Sequence, residues 1–229
     1  MVGSALVEYL KDKRYSNIHT RDRSKLDLTN QRQTQDFFDE VKPDYVVIAA
    51  AKVGGIMANL KYKADFIYQN LAIQNNIISS AFKTKVQKLL FLGSACIYPK
   101  FSGQPIKESY LLSGPLEPTN EYYAIAKISG IKLCQAYYEQ YGCNFISAMP
   151  SNLYGPRDNF DLNNSHVLPA LIRKMHEAKT LNKKHVEVWG TGNPKREFLH
   201  VNDFADSIFF LLKNLDAKEL YGNQISHVN

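Results

Sequence analysis

Three short, almost wholly apolar runs are separated along the chain by longer segments with helical spacing. The runs are DYVVIAAA at 44–51, KLLFLGS at 88–94 and NFISAMP at 144–150. Between them, the apolar residues of 65–83 and 121–142 recur every three or four positions, which is typical of helices. Strands that are buried on both faces and joined by helices form a parallel sheet. The sequence therefore predicts an α/β fold with a doubly wound parallel sheet of the Rossmann type.

The two ends of the chain are unusual for such a sheet. MVGSALVEYLK has the spacing of a helix that begins near Gly3, and no strand precedes it. A sheet of this kind usually opens with a strand and a glycine-rich turn. EVWG at 187–190 is predicted as a short strand, and ISHVN at 225–229 as a strand that is cut short. We therefore expect truncation at both ends.

The expected organisation has two parts. The first, at 1–155, is an NADP-binding Rossmann domain that lacks its first strand and the start of the glycine-rich turn. The second, at 156–229, is part of a smaller C-terminal substrate-binding domain, partly missing and interleaved with the last Rossmann elements. This division follows from the strand and helix pattern together with the resemblance described below.

Composition excludes several classes of protein. The 229 residues include 28 Lys and Arg against 22 Asp and Glu, a net charge of +6. This charge suits anionic ligands, but no dense basic block indicates a nucleic-acid partner. No run approaches the roughly 18 consecutive apolar residues of a membrane helix. Because Cys96, Cys134 and Cys143 are an odd number without metal-ligand spacing, we expect no metal and a cytoplasmic location.

A hydroxyl and a thiol follow the second apolar run, in the segment LLFLGSACIYP at 89–99. A buried strand has no structural need for Ser94 and Cys96 where it ends. The carboxyl edge of a parallel sheet is where ligands bind, so Ser94 is a candidate for holding a substrate carbonyl. From the residues alone, a packing role for Cys96 stays open, because a cysteine at a strand end is usually a small buried hydrophobe.

The helix at 121–142 carries a second chemical signal, the pattern Y-x-x-x-K formed by Tyr123 and Lys127. Positions i and i+4 share one face of a helix. A neighbouring cation lowers the pKa of a phenol, which makes proton transfer to a carbonyl oxygen feasible. The pattern alone is weak, because Tyr9 and Lys13 match it on an ordinary amphipathic helix.

Six segments extend these signals from end to end of the chain. They are AAAKVGGI (49–56), LFLGSACIYP (90–99), YYAIAKISGIKLC (122–134), PSNLYGPRDNF (150–160), SHVLPALIRK (165–174) and WGTGNPKREFLHVND (189–203). Together they resemble the extended short-chain dehydrogenase/reductase family. The combination of Ser-Ala-Cys with Ser-His-Val is similar to its GDP-L-fucose synthase branch. The resemblance implies NADPH-dependent conversion of GDP-4-keto-6-deoxy-D-mannose to GDP-L-fucose, by 3,5-epimerisation and 4-keto reduction.

The resemblance assigns five catalytic residues. It implies that Cys96 is the base and His166 the acid that together invert the carbons flanking the ketone. Ser94 and Tyr123 then polarise the C4 carbonyl, and Tyr123 donates the proton during reduction. Lys127 holds the nicotinamide ribose and tunes Tyr123. Without the resemblance, a lone histidine such as His166 is more often a surface or helix-start residue.

The cofactor prediction depends on Arg21, in the segment HTRDRSKLDL. In this fold the end of the second strand meets the adenosine ribose, where arginine favours the 2′-phosphate of NADP. Arg23 supports NADPH, whereas Asp22 is a signal for NAD. The full set of expected cofactor contacts is Gly3, Arg21, Ala50, Ala51, Leu92, Gly93, Lys127, Pro150, Asn152, Leu153 and His166.

The resemblance also implies the substrate contacts and an oligomeric state. Contacts to the GDP-sugar are expected at Lys174, Trp189 and Arg196. Lys174 keeps the charge of the arginine that is frequent there but loses its bidentate fork. On the residues alone, Lys195 and Arg196 fit a solvated turn equally well. A homodimer is expected, and the helices at 65–83 and 121–142 fit its interface and a purely core position equally well.

Two alternatives to this function stay open. One is another extended short-chain enzyme, a sugar-nucleotide epimerase or dehydratase that recycles its NAD. Such an enzyme keeps Ser94, Tyr123 and Lys127 but needs no Cys96 with His166. The other is a non-catalytic NADP-binding or scaffolding protein, which has no use for the complete catalytic set.

Overall fold

The computed structural model describes residues 1–162 and 164–229, in which eight α-helices alternate with five short strands. The helices are α1 (Val2–Asp12), α2 (Gln31–Val41), α3 (Ile56–Lys61), α4 (Lys63–Lys83), α5 (Glu121–Tyr141), α6 (Val167–Thr180), α7 (Val201–Asn214) and α8 (Ala217–Gly222). The strands are β1 (Tyr45–Ile48), β2 (Lys88–Leu92), β3 (Phe145–Ala148), β4 (Asn152–Tyr154) and β5 (Phe198–His200). No helix in these two ranges is long and apolar enough to cross a membrane.

The three short apolar runs form one parallel sheet in the order β1-β2-β3. The C-terminal segment lies beside β3, where Val228 forms a parallel bridge with Ala148. Each crossover contains a helix, as parallel neighbours require. The predicted α/β fold and its three main strands are confirmed, and the strand predicted at 225–229 contributes this single bridge.

Helices cover both faces of the sheet, which is what a doubly wound architecture means. Along β2, Leu89 and Phe91 belong to one buried cluster, with residues of α4 and α5. Leu90 and Leu92 belong to a second cluster, with residues of α1, α7 and α8. Successive side chains of a strand point to opposite faces, and every residue of β2 is buried. Each fully buried aliphatic or aromatic side chain stabilises the fold by roughly 1.5–3 kcal/mol.

The strand predicted at 187–190 is wrong. The structure instead forms a second, two-stranded parallel sheet from β4 and β5, while 187–190 lies outside every strand of the described chain. A run as short as EVWG becomes a strand only beside a partner. Here the Glu187 carbonyl accepts a hydrogen bond from the Lys174 side chain at 3.2 Å.

Helix α5 packs unusually close to β2, through Gly130. A Cβ atom at this position would lie 2.4 Å from Cζ of Phe91, well inside contact distance. Phe91 is buried in the middle of β2, so its ring has little room to move. The close approach sets the distance between the helix that carries Tyr123 and the strand that precedes Ser94.

We expect Gly130→Ala to destabilise the protein by about 1–3 kcal/mol, because the added methyl overpacks a dense core. Urea unfolding of the variant and the parent protein measures the difference. Gly222→Ala is the matched control, because a Cβ there meets nothing within 4 Å among the described atoms. Equal losses in the two variants would contradict the packing argument.

A buried histidine ties the C-terminal segment to the loop that follows β2. His227 is fully buried, and its Nε2 atom shares a hydrogen bond of 2.5 Å with the Tyr98 hydroxyl. Its other ring nitrogen lies 2.9 Å from the Ser226 hydroxyl. Burial lowers the pKa of His227 to about 4, from an ordinary value of 6.5.

We expect the protein to lose about 2 kcal/mol of stability between pH 7 and pH 5 through His227 alone. In this window the unfolded chain binds a proton that the folded chain excludes, so stability falls as the pH falls. Urea unfolding at several pH values measures the effect, and His227→Gln should flatten it. His176→Gln, at an exposed position of α6, should leave the slope unchanged. An unchanged slope in His227→Gln would contradict the assignment.

Candidate active site at the carboxyl edge of the sheet

Ser94 and Cys96 lie where β2 ends, as the sequence predicts. Ser94 has an extended backbone and caps a single 3-10 turn, Ala95–Ile97, that brings the thiol back toward the hydroxyl. The Cys96 Sγ atom lies 3.3 Å from Oγ of Ser94 and donates to it. The Met149 side chain packs against the glycine before this turn, because a Cβ atom at Gly93 would lie 2.2 Å from Sδ of Met149.

Helix α5 brings Tyr123 and Lys127 to the same edge. The Lys127 ammonium donates a hydrogen bond of 2.7 Å to the carbonyl of Leu92, the last residue of β2. It also lies 5.8 Å from the centre of the Tyr123 ring, and the Ser94 hydroxyl is near enough to the phenol to lower its pKa slightly, against the larger effect of burial. The structure therefore gathers Ser94, Cys96, Tyr123 and Lys127 into one cluster.

Lys127 is buried and Ser94, Cys96 and Tyr123 are half-buried, and this burial biases the ionisable groups of the cluster toward their neutral forms. It raises the pKa of the Cys96 thiol to about 11, against smaller opposing effects of Ser94 and Lys127. It lowers the pKa of Lys127 to about 8. The pKa of Tyr123 is raised, by burial first and by the neighbouring Cys96 thiolate second. The Tyr123 pKa therefore shifts upward, in the direction opposite to the one expected from the Y-x-x-x-K pattern, because burial disfavours the phenolate.

The second Y-x-x-x-K pattern has different surroundings. The Tyr9 hydroxyl donates to Oδ1 of Asp206 on α7, and this hydrogen bond raises the tyrosine pKa. Lys13 lies 5.3 Å from the centre of the Tyr9 ring. A phenol that donates to a carboxylate is a structural link between α1 and α7, which agrees with its interpretation from the sequence.

His166 lies at the start of α6, in the N-cap position, with its side chain exposed. The backbone just before it is held by the loop after β1, because the N–H of Gly55 donates to the carbonyl of Asn164 at 3.0 Å. Within residues 1–162 and 164–229, no hydrogen bond or ring contact joins the His166 imidazole to the four clustered residues. Its catalytic role stays a prediction.

Most of the predicted cofactor residues follow the same edge. Gly3 lies in the first turn of α1, where a Cβ atom would contact Ala49 at 3.8 Å, and half-buried Ala50 and Ala51 follow β1. Leu92 and Gly93 end β2, and Pro150 follows β3. Asn152 and Leu153 belong to β4, and the Asn152 side chain donates to the Glu197 carbonyl.

Arg21 has an exposed guanidinium that stacks 5.1 Å above the centre of the Phe37 ring and donates to the Thr20 carbonyl. A cavity of about 240 Å³ opens beside it, lined also by Lys25 and Gln33 and by the acidic residues Asp36 and Glu40. A held but accessible cation suits a phosphate group. The prediction that Arg21 meets a cofactor phosphate remains open.

Two of the three predicted substrate residues are in contact. The Lys174 ammonium lies 4.6 Å from the centre of the exposed Trp189 ring. Arg196 lies on a separate exposed turn, where it donates to the carbonyl of Lys195. The exposed position of Arg196 agrees equally with a site for an anion and with the solvated turn that the sequence left open.

Sequence reasoning missed two buried asparagines near the site. Asn59 donates to the carbonyls of Gly54 and Gly55, and Asn70 pairs with both backbone groups of Lys52. Polar residues on the apolar face of a helix were the available signal. The hydrogen-bond partners of these two asparagines could not be predicted without the fold.

The chain matches known proteins over almost its entire length. Residues 1–224 match the model of the NAD dependent epimerase/dehydratase family. A GDP-L-fucose synthase of Sinorhizobium fredii (strain NBRC 101917 / NGR234) is 59% identical over 219 residues, 96% of this chain and 69% of the relative. That of Escherichia coli (strain K12) is 53% identical over 231 residues, 100% of this chain and 72% of the relative. A GDP-D-glycero-L-gluco-heptose synthase from Campylobacter jejuni, solved in the presence of NADPH, superposes with a TM-score of 0.90 at 38% identity, covering 100% of this chain and 76% of the other.

The raised pKa predicts slow alkylation of Cys96. At pH 8 the thiolate fraction should be about a hundredfold below that of a thiol with the ordinary value of 9.0, and the rate should climb with pH toward about 11. Iodoacetamide labelling followed by peptide mass spectrometry measures the rate. Cys143→Ser removes the other half-buried thiol and should not change the profile. A Cys96 profile that reaches its plateau below pH 9 would contradict the prediction.

Proposed function

The chain belongs to the NAD dependent epimerase/dehydratase family, and we propose that it catalyses the formation of GDP-L-fucose from GDP-4-keto-6-deoxy-D-mannose. The reaction consists of 3,5-epimerisation followed by NADPH-dependent reduction at C4. The observation that carries the proposal is the Cys96 thiol on the Ser94 hydroxyl, beside Tyr123 and Lys127. Reduction of a carbonyl needs only Ser94, Tyr123 and Lys127, whereas epimerisation beside a ketone also needs a base.

The cluster can perform the epimerisation at one carbonyl. Ser94 and Tyr123 hold the C4 oxygen, which stabilises the enolate formed when a neighbouring carbon loses its proton. The Cys96 thiolate takes that proton and becomes a thiol, and His166 gives a proton to the opposite face of the carbon. The C–H bond that breaks is replaced by one of inverted configuration, and exchange with water restores both groups. Burial makes the thiolate scarce but a stronger base once formed.

The residues of this edge fit a phosphate-bearing dinucleotide. The first turn of α1, beside Gly3, contains no acidic residue, and helix N-termini favour anions. Small side chains at Ala50 and Ala51 leave room after β1, and Arg21 offers an accessible cation. When bound, NADPH supplies a hydride to the C4 carbon. Tyr123, whose raised pKa keeps it protonated at neutral pH, gives its proton to the C4 oxygen.

The remaining parts of the proposal concern the substrate and the assembly. Lys174 and Arg196 bind the diphosphate, and Trp189 lines the site; the cation–π contact of Lys174 with Trp189 supports this pairing. The division into a cofactor-binding part at 1–155 and a substrate-binding part at 156–229 belongs to the same proposal. So do a homodimer and a cytoplasmic location, which the three free thiols favour.

The decisive experiment incubates the full-length protein with GDP-4-keto-6-deoxymannose in heavy water. We expect deuterium at C3 and C5 without cofactor, and GDP-L-fucose once NADPH is added. Cys96→Ser should lower deuterium incorporation by at least about 100-fold, the usual contribution of a positioned base.

Two results would overturn the proposal. The absence of exchange in the unsubstituted protein would move it to another sugar nucleotide or to the NAD-recycling branch of the family. Normal exchange in Cys96→Ser would remove the assigned base. Cys134→Ser serves as the control, because this thiol is fully buried in the core on the inner face of α5.

A further inference from the structure

We propose that the loop Lys52–Gly55, here called the KVGG loop, is a positioning device for His166. The inference rests on the proposed function and names residues that act through another group: Gly55, Asn59 and Asn70. In this arrangement the loop fixes the backbone before His166, so that its imidazole faces the side of the sugar opposite to Cys96.

The contact between the KVGG loop and the His166 segment is made by backbone atoms. The N–H of Gly55 donates to the carbonyl of Asn164 at 3.0 Å. A Cβ atom at Gly55 would lie 2.5 Å from the carbonyl oxygen of Ser165. Gly55 has a φ of −66°, which any residue adopts, so the close approach and not the conformation requires glycine. Ser165 directly precedes His166, so a displacement there reaches the imidazole.

Buried amides fix both ends of the KVGG loop. Asn59, 7% exposed, donates to the carbonyls of Gly54 and Gly55 at 2.8 and 3.1 Å. Asn70, 3% exposed, accepts from the N–H of Lys52 at 2.8 Å and donates to its carbonyl at 3.0 Å. A buried backbone group that loses such a partner destabilises the folded conformation of the loop. The loop is therefore held in one conformation by side chains from α3 and α4.

The helix that holds the KVGG loop also holds the other half of the site. On α4, the ring of Phe66 packs edge-on against Tyr123, with ring centres 6.1 Å apart. About two turns farther along, the Gln74 amide donates at 2.7 Å to the carbonyl of Ala126, between Tyr123 and Lys127. Helix α4 thus contacts both parts of the proposed site. It holds the KVGG loop, which contacts the backbone before the proton donor at the start of α6, and it packs against α5, which carries Tyr123.

Inversion makes a particular demand on the position of the acid. After Cys96 removes a proton, the enolate is either protonated by His166 on the new face or reprotonated by Cys96 on the original face. The second outcome leaves the configuration unchanged, and it introduces solvent deuterium when the Cys96 thiol exchanges its proton with water before it returns one to the carbon. A displaced His166 therefore uncouples exchange from inversion, whereas general damage to the site lowers both. A displacement of 1 Å can cost about 100-fold in rate.

The test compares Gly55→Ala with the unsubstituted full-length protein in heavy water, without cofactor. Mass spectrometry and NMR of the recovered GDP-sugars give the deuterium content at C3 and the fraction inverted. We expect inversion to fall by on the order of tenfold or more, while exchange at C3 stays within about twofold. Gly222→Ala is the control, because its Cβ meets no described atom within 4 Å, and it should change neither quantity.

Asn59→Asp is the second variant, and it decides the matter if Gly55→Ala does not fold. It keeps the shape of the side chain but removes the donor to the two glycine carbonyls, and it should raise the same ratio of exchange to inversion. Equal loss of exchange and inversion, or an unchanged ratio in folded variants, overturns the inference. A lack of exchange in the unsubstituted protein instead overturns the proposed function, so the two failures are distinguishable.

Discussion

The seating of α5 on β2 is the constraint on which the rest of the site depends. A residue with no side chain, Gly130, allows the helix to rest on the Phe91 ring. One turn earlier on the helix, the Lys127 ammonium donates a hydrogen bond to the Leu92 carbonyl at the end of β2. Tyr123 is carried by the helix and Ser94 by the end of the strand, so their meeting is set by this packing distance. Because α5 and β2 are packed directly against each other, Tyr123 and Ser94 are brought together without a rearrangement of either element.

The same packing limits the access of water to the cluster, and this governs the acid–base properties of its groups. An ionised group that is taken out of water becomes less stable, whichever sign it carries. Burial therefore keeps the Cys96 thiol and the Tyr123 phenol protonated by raising their pKa values. In the same cluster it lowers the pKa of the Lys127 ammonium. A protonated phenol is ready to act as an acid. A protonated thiol is also protected from oxidation, because the thiolate is the reactive form.

The sequence predicted what depends on neighbours along the chain. The apolar runs predicted the three sheet strands, helical spacing predicted α4 and α5, and the strand-end position predicted where Ser94 and Cys96 lie. What failed depends on distant partners. EVWG is too short to be a strand alone, and the pairing that forms instead joins residues more than 40 positions apart. Asn70 reaches back 18 residues to Lys52, and His227 meets Tyr98 across 129, so neither role was visible locally. The direction of the Tyr123 pKa shift needed the burial that only the fold provides.

The complete burial of β2 has a consequence for how motion is distributed in the site. This strand is paired on both sides and covered on both faces, so its amides open only when the whole domain opens. Ser94, which we propose holds the carbonyl, follows the end of this strand. The start of α6 is exposed and meets the domain through the backbone contact of Gly55 with Asn164. The proposed site thus combines a serine anchored to the most protected strand with a histidine that is positioned through the loop before α6.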